Sequence, residues 1–306
     1  MSGTATSGGL TAEQIAAARG LAPRAFGKPW RERLPAYGYW LAFAGLTVYC
    51  LVLFGFTPMA IWRGLAKLGH VLSFLFPPYI WQTWSDFLQP VAAIAETLAM
   101  AFLGTLIAAL VALPLGFLGA RNVMRLEVLR FLSRRGFDAL RSLEQLILAL
   151  IFIRAFGLGP LAGIFAIAVS DIGSLAKLFA EAIENVDRRP IEGVRAAGGG
   201  KLQVLRLALL PQVLPVLLSN VLYYFESNTR SASILGIVGA GGIGYMLSDR
   251  ISANNWDEVM SIVLLLLITV GAIDAVSRAL RTRIISGSAA RQTAGPSATK
   301  QVPIAD

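Results

Sequence analysis

Five apolar runs, at about 39–56, 91–119, 160–180, 205–225 and 259–279, dictate the solvent in which this chain folds. Each reaches or approaches the roughly 20 residues that a helix rising about 1.5 Å per residue needs to cross a hydrocarbon core about 30 Å thick. A sixth run, about 139–156 (ALRSLEQLILALIFIRAF), is shorter and carries Glu144 and Arg154, but its LILALIFI centre is apolar enough to be read as a span. Charged residues make up 15% of the 306, against roughly 25% in a soluble domain, and the mean hydropathy is +0.64. The expected fold class is an all-α integral membrane protein with about six transmembrane helices.

The net charge of +9 would suggest a nucleic-acid partner in a soluble protein. Here the basic residues lie in the gaps between apolar runs, so no nucleic acid is expected. Six spans put both termini on one side. The two tails and the gaps after the second and fourth spans then hold 22 of the 27 Lys and Arg residues, leaving Arg63, Lys67, Arg154, Arg230 and Arg250 opposite. The positive-inside bias makes the richer side cytoplasmic, with both termini there, and the expected location is a bacterial cytoplasmic (inner) membrane. With one cysteine, Cys50, and one histidine, His70, the chain can build neither an internal disulfide nor a Cys/His metal cluster. No cofactor or metal is expected. Cys50 reads as a small buried hydrophobe.

The expected organisation is a cytoplasmic N-terminal tail (1–38) without a cleaved signal, a first transmembrane helix (39–56), an external interfacial segment (57–90), a core domain (91–285) and a disordered cytoplasmic C-terminal tail (286–306). Segment 57–90 carries Trp62, Tyr79, Trp81 and Trp84, aromatics suited to a membrane–water boundary. Segment 231–250 is glycine-rich, too short to cross and too apolar for a free loop. It is expected to pack against the bundle near the outer mouth as a re-entrant turn, since irregular backbone at depth must be buried in protein or line a cavity.

Between the fourth and fifth runs lies a loop (181–211) that is charged and broken by glycine. Asp187 and Pro190 suit the start of a helix. Residues Ile191–Ala197 give one or two turns, and Gly198-Gly199-Gly200 end them. Glu192 and Arg195 are then free to face another protein. By physics alone an ordinary polar connection explains the loop as well.

Two patterns imitate nucleotide sites. Gly239–Gly244 contains G-x-G-x-x-G but lies between spans rather than in a strand–helix unit, so close packing through small residues accounts for it better. Gly200-Lys201 resembles the end of a phosphate-binding loop, yet Arg195 and Leu202 stand where that loop needs Gly and Ser or Thr.

The loop also resembles a known signature. Glu192-Gly193-Val194, with Gly198 six residues after Glu192 and Pro211 thirteen after Gly198, resembles the cytoplasmic motif of ABC-importer permeases, with Gly193-Val194 standing where the general family has Ala-Ala. EGVRAAG…LPQVLP, together with GFLGARN (116–122), GLGPLAG (157–163), SLAKLFAEAIE (174–184) and SILGIVGAGGIG (233–244), is similar to the phosphonate-type branch in particular. The resemblance covers about 91–280. It implies a binding-protein-dependent permease fold, a second permease copy (a homodimer or a similar chain), cytoplasmic ATP-binding-cassette ATPase subunits and an extracytoplasmic substrate-binding protein. It implies ATPase docking through Glu192, Gly193, Arg195, Ala196, Ala197 and Gly198. The chain would not be an enzyme itself, since ATP hydrolysis would lie on the separate subunit. The cargo implied is a phosphonate or a phosphite- or phosphate-like oxyanion. Many phosphonate-type relatives carry His and Ser where this chain has Ser170 and Asp171, which leaves the particular oxyanion open.

Ionisable residues inside spans are costly and often functional. Ser170, Asp171, Glu226, Asn228 and Arg230 are the candidate pathway residues. Glu96 and Asp274 fit span ends or arginine pairs better. An ion-gradient-driven secondary transporter is the main alternative, although no repeat relates the two halves. A membrane enzyme would need a carboxylate-only site, and no paired catalytic motif appears.

Overall fold

The computed structural model describes residues 16–17 and 30–293. The remainder of the expected tails, 1–15, 18–29 and 294–306, lies outside the described residues. Every regular element described is helical. The chain divides into two compact units, 1–73 and 74–306.

In the first unit, α1 (Trp30–Leu53) and α2 (Pro58–Leu75) meet at a 50° bend. Gly55, with φ +63°, turns the chain between them. Together they pass the length and hydropathy test for one broken span. Cys50 is only partly buried in α1, not in a core as expected.

The second unit contains α3 (Trp84–Gly119), α4 (Glu127–Arg141), α5 (Gln145–Phe156), α6 (Pro160–Glu184) and α7 (Arg188–Ala196). A short α8 (Lys201–Val204) runs through a π-helical turn (Leu205–Leu209) into α9 (Leu210–Leu235). A second π turn (Gly236–Ala240) leads to α10 (Gly242–Ser252), and α11 (Trp256–Thr293) closes the described chain. Among the described residues, four helical stretches are long and apolar enough to cross a membrane singly: Trp84–Gly119, Pro160–Glu184, Lys201–Ala240 and Trp256–Ile284.

The run expected to span at 139–156 does not form one helix. α4 ends at Ser142, whose backbone N–H bonds the Asp138 and Ala139 carbonyls, and α5 begins after Glu144. The 12 residues of α5 reach only about 18 Å, short of a hydrocarbon core. The chain nonetheless returns across the bundle here. α3 and α6 are parallel and in register: Gly104 lies against Ile167, Gly116 against Phe179, and Arg121 against Glu184, 63 residues on. Segment 120–159 must therefore travel back the length of α6. α4 packs on the C-terminal half of α6, with Leu140 at Gly173, and α5 packs on the N-terminal half, with Phe156 stacked on Phe165.

Small residues permit the close α3–α6 approach. Ala101, Ala108, Ala112, Ala166 and Ala176 are fully buried, and a Cβ on Gly104 would come within 2.7 Å of Ile167. Large apolar side chains such as Leu110 and Ile268 instead point outward, as lipid-facing positions should. α9 runs antiparallel to α6, pairing Asn228 with Asp171 and Gln212 with Asp187.

Candidate functional site

The loop after α6 builds a short, exposed helix. The Asp187 side chain accepts a hydrogen bond from the Arg189 N–H at 3.0 Å, capping α7, and Pro190 sits in the first turn. At the other end, Gly198 N–H bonds the Arg195 carbonyl and Gly199 N–H bonds that of Val194, both at 2.9 Å. Gly198 has φ +81°. This is a Schellman termination, which favours glycine at that position.

Gln212 of α9 fixes the entry, accepting from Asp187 N–H at 3.1 Å while its amide donates to the Ala208 carbonyl at 2.8 Å. Ile191 and Val194 turn partly inward, whereas Glu192, Gly193, Arg195, Ala196, Ala197 and Gly198 are all exposed. The six residues singled out in the sequence thus share one solvent-facing surface.

The base of this loop is tied to α3 and α4. Glu184, the last residue of α6, accepts from the Arg121 backbone N–H and from Arg134 Nη2, each at 2.6 Å. Asn122 donates to the Ile183 and Glu184 carbonyls. The GFLGARN segment thereby satisfies carbonyls at the end of α6 that the helix itself leaves unpaired.

A polar cluster occupies the interior beside the α4–α5 break. Asp171 accepts from Gln145 Nε2 at 3.2 Å and from Asn228 Nδ2; Asn228 Nδ2 also reaches Thr105 Oγ1 at 2.9 Å. Asp171, Asn228 and Thr105 are each at most 3% exposed. Ser170 is half-buried, with its hydroxyl 3.5 Å from the Leu143 carbonyl in the break. Gln145 and Thr105 were not foreseen. A glutamine beside Glu144 in an otherwise apolar run was the available signal for the first, and Thr105 gave none.

The other pathway candidates belong to a separate network between α9 and α11. Arg281 Nη2 bonds Glu226 Oε2 at 2.7 Å, and Arg230 Nη1 lies 3.1 Å from both Asp274 oxygens and its Nη2 3.7 Å from Glu226. Asp274 is paired with an arginine, as expected. Glu96 instead lies half-buried with its carboxylate beside Gly241. The five sequence candidates therefore fall into two groups: Ser170, Asp171 and Asn228 at the break, and Glu226 and Arg230 on the side of α9 that pairs with Asp274 and Arg281 of α11.

Segment 231–250 folds back on itself at Gly241, with φ +87°. Cβ atoms at Gly236 or Gly244 would run into the opposing backbone. The Gly159 N–H donates to the Gly239 carbonyl at 3.0 Å, and Ile243 N–H to Thr97 Oγ1 at 2.9 Å. The glycine pattern that imitates a dinucleotide motif is here a close-packed helical turn.

The model of the family described as "Binding-protein-dependent transport system inner membrane component" matches residues 112–287, from the second half of α3 to α11 and including α7. The chain belongs to that family. It is 37% identical over 257 residues to the phosphate-import permease protein PhnE of Mycolicibacterium smegmatis, covering 84% of this chain but 48% of that one. The chain thus spans about half the length of that relative. It is 34% identical over 258 residues to the phosphite transport system permease protein PtxC of Stutzerimonas stutzeri, covering 84% of this chain and 92% of that one. A chain of the MetNI methionine ABC transporter in an inward-facing conformation superposes with a TM-score of 0.58 at 23% identity, covering 66% of this chain and 99% of the other, a likeness of fold. Membership makes this chain a multi-pass inner-membrane transport component and does not favour the ion-gradient alternative.

Proposed function

We propose that this chain is the permease subunit of an ATP-driven importer for a small phosphorus oxyanion, a phosphonate, phosphite or phosphate. The observation that carries the reading is α7, a capped helix whose exposed face gathers Glu192, Gly193, Arg195, Ala196, Ala197 and Gly198. Ala196 and Ala197 let that face seat in a groove of a cytoplasmic ATPase subunit, and Glu192 and Arg195 supply directional polar contacts. An extracytoplasmic binding protein delivers the cargo, and a second permease copy completes the pathway. The cargo class follows the names of the relatives. Both termini and α7 lie on the cytoplasmic side, as the gathering of basic residues in the tails and in the gaps around 121–141 and 188–206 favours.

Of the pathway candidates, Arg230 meets the cargo. Its side chain remains 47% exposed beside an apolar cleft of about 260 Å³ between α9, α10 and α11. Of the neighbouring carboxylates, Glu226 pairs with Arg281 and Asp274 with Arg230 itself, so the cluster carries no net negative charge and an arriving anion competes with Asp274 for the Arg230 guanidinium. Asp171 and Asn228 act inside the bundle instead, holding the helices beside the break.

The test is uptake of radiolabelled phosphite into proteoliposomes holding this chain with its ATPase and binding protein. Uptake that requires ATP and both partners supports the reading. Uptake by this chain alone, driven by an ion gradient, overturns it.

A further inference from the structure

We infer that Arg278 of α11 and Tyr223 of α9 form a second station for the anion, nearer α7 than Arg230. The inference rests on the permease reading above and extends it to residues that reading does not use.

α9 has two exposed faces of opposite character. Leu210, Leu214 and Leu218, four residues apart, make one, and it suits lipid. The opposite face carries Val216, Asn220, Tyr223, Ser227 and Arg230, none of them buried. Their spacing of four, three, four and three keeps them in one stripe. The depth of that stripe is fixed by α6. Asp171 stands 11 residues after the start of α6 and 13 before its end, and Asn228 bonds it. Tyr223, Ser227 and Arg230 therefore lie in the middle of the bundle, where polar side chains on an open face are too costly to meet hydrocarbon. The stripe also joins two clefts. It starts at the apolar cleft beside Arg230 and ends in one of about 530 Å³ lined by Gln212, Val216 and Asn220, to which α6 adds Glu181 and Asn185. A polar face that connects two clefts is a route.

α11 supplies the charge. Asp274, Arg278 and Arg281 are spaced four and three apart, so they share one stripe. Asp274 reaches Arg230 and Arg281 reaches Glu226, which turns that stripe toward α9. Arg278 between them is exposed and belongs to none of the ion pairs among the described residues. Arg230, Arg278 and Arg281 then face Glu226 and Asp274, leaving one positive charge over for an oxyanion. The Arg281 guanidinium lies 5.8 Å from the centroid of the Tyr223 ring, which holds the ring at the network. Tyr223 is 52% exposed and offers a phenol donor on the open face. From residue 222 back to Gln212 α9 carries no cation, and Glu181 stands in the cleft beyond. The hold on an anion weakens in that direction, as release toward α7 requires.

The test uses proteoliposomes holding the full chain, its ATPase and its binding protein. In a Cys50→Ser background, Ser227→Cys and Leu218→Cys are exposed to a charged, membrane-impermeant thiol reagent. Ser227→Cys is expected to react, more slowly with millimolar phosphite present, and Leu218→Cys to stay unmodified. Arg278→Gln breaks no ion pair and is expected to lower phosphite uptake about tenfold, the loss of one charge-assisted hydrogen bond. Its unfolding midpoint should match wild type, and Arg278→Lys should recover most of the uptake. Tyr223→Phe is expected to lower uptake about threefold, as loss of a neutral donor does. Wild-type uptake by Arg278→Gln, or equal modification at positions 227 and 218, overturns the inference and leaves the permease reading standing. Wild type without ATP-driven uptake overturns the permease reading and the inference with it.

Discussion

Asp171 of α6 and Asn228 of α9 hydrogen-bond to each other in the bundle interior, and Gln145, the first residue of α5, bonds both. Among the described residues no Lys, Arg or His forms an ion pair with Asp171. The carboxylate is therefore held by amide donors alone, and three helices share one polar joint at the break. Replacing Asp171 by Leu strips Asn228 and Gln145 of an acceptor. A loss of about 1–3 kcal/mol is expected, the cost of buried polar groups left unpaired. Asp171→Asn, which can still accept, should lose less. Thermal unfolding of both variants in detergent checks the order.

The α9–α11 network makes a different prediction. Arg281→Met leaves Glu226 with only the longer contact to Arg230. Breaking a largely buried pair from one side costs about 3 kcal/mol. Removing both charges in Glu226→Gln/Arg281→Met should cost less than Arg281→Met alone. A double-mutant cycle on unfolding midpoints decides this, and strict additivity would show the pair to be uncoupled.

Gly244 tests the fold-back. A Cβ there overlaps the Ser233 carbonyl, and no flexible side chain stands in the way to yield. Gly244→Val should prevent the close packing of α9 on α10, at about 1–3 kcal/mol or more. Limited proteolysis at 236–244 should become faster than in wild type.

Much of this was legible beforehand, and the rest was hidden for identifiable reasons. The runs at 160–180 and 259–279 became long helices because apolar length alone decides them. The ends of α7 were readable because Asp187, Pro190 and Gly198 act locally. The break at 142–144 was not, since a hydropathy window averages over Ser142 and Glu144. The parallel register of α3 and α6 depends on which small residues meet, such as Gly104 with Ile167, and one chain's sequence does not state its pairings. The site at the break suffered similarly. Asp171 and Asn228 stood out as polar residues in apolar surroundings, but Thr105 looks like any threonine bonding back to its own helix, as it also does to Ala101.

α7 supplies a prediction that separates docking from folding. Gly198→Val forces a branched residue into left-handed backbone at about 1–2 kcal/mol and disturbs the Schellman turn. Glu192→Ala changes only an exposed side chain. Both variants should insert in the membrane at wild-type levels while lowering substrate-stimulated ATP hydrolysis by the assembled transporter. Unchanged stimulation in both would remove α7 from the coupling role.

The central claim is that the exposed face of α7 meets an ATPase. Cys50 is the only native cysteine, so Cys50→Ser with Arg195→Cys gives a single reactive site on that face. The measurement is thiol-directed cross-linking in native membranes followed by mass spectrometry of the adducts, with Cys50→Ser/Leu110→Cys on the lipid-facing side of α3 as the control. The account predicts a P-loop ATPase joined to position 195 and not to position 110. No ATPase adduct at 195, or equal adducts at both positions, would contradict it.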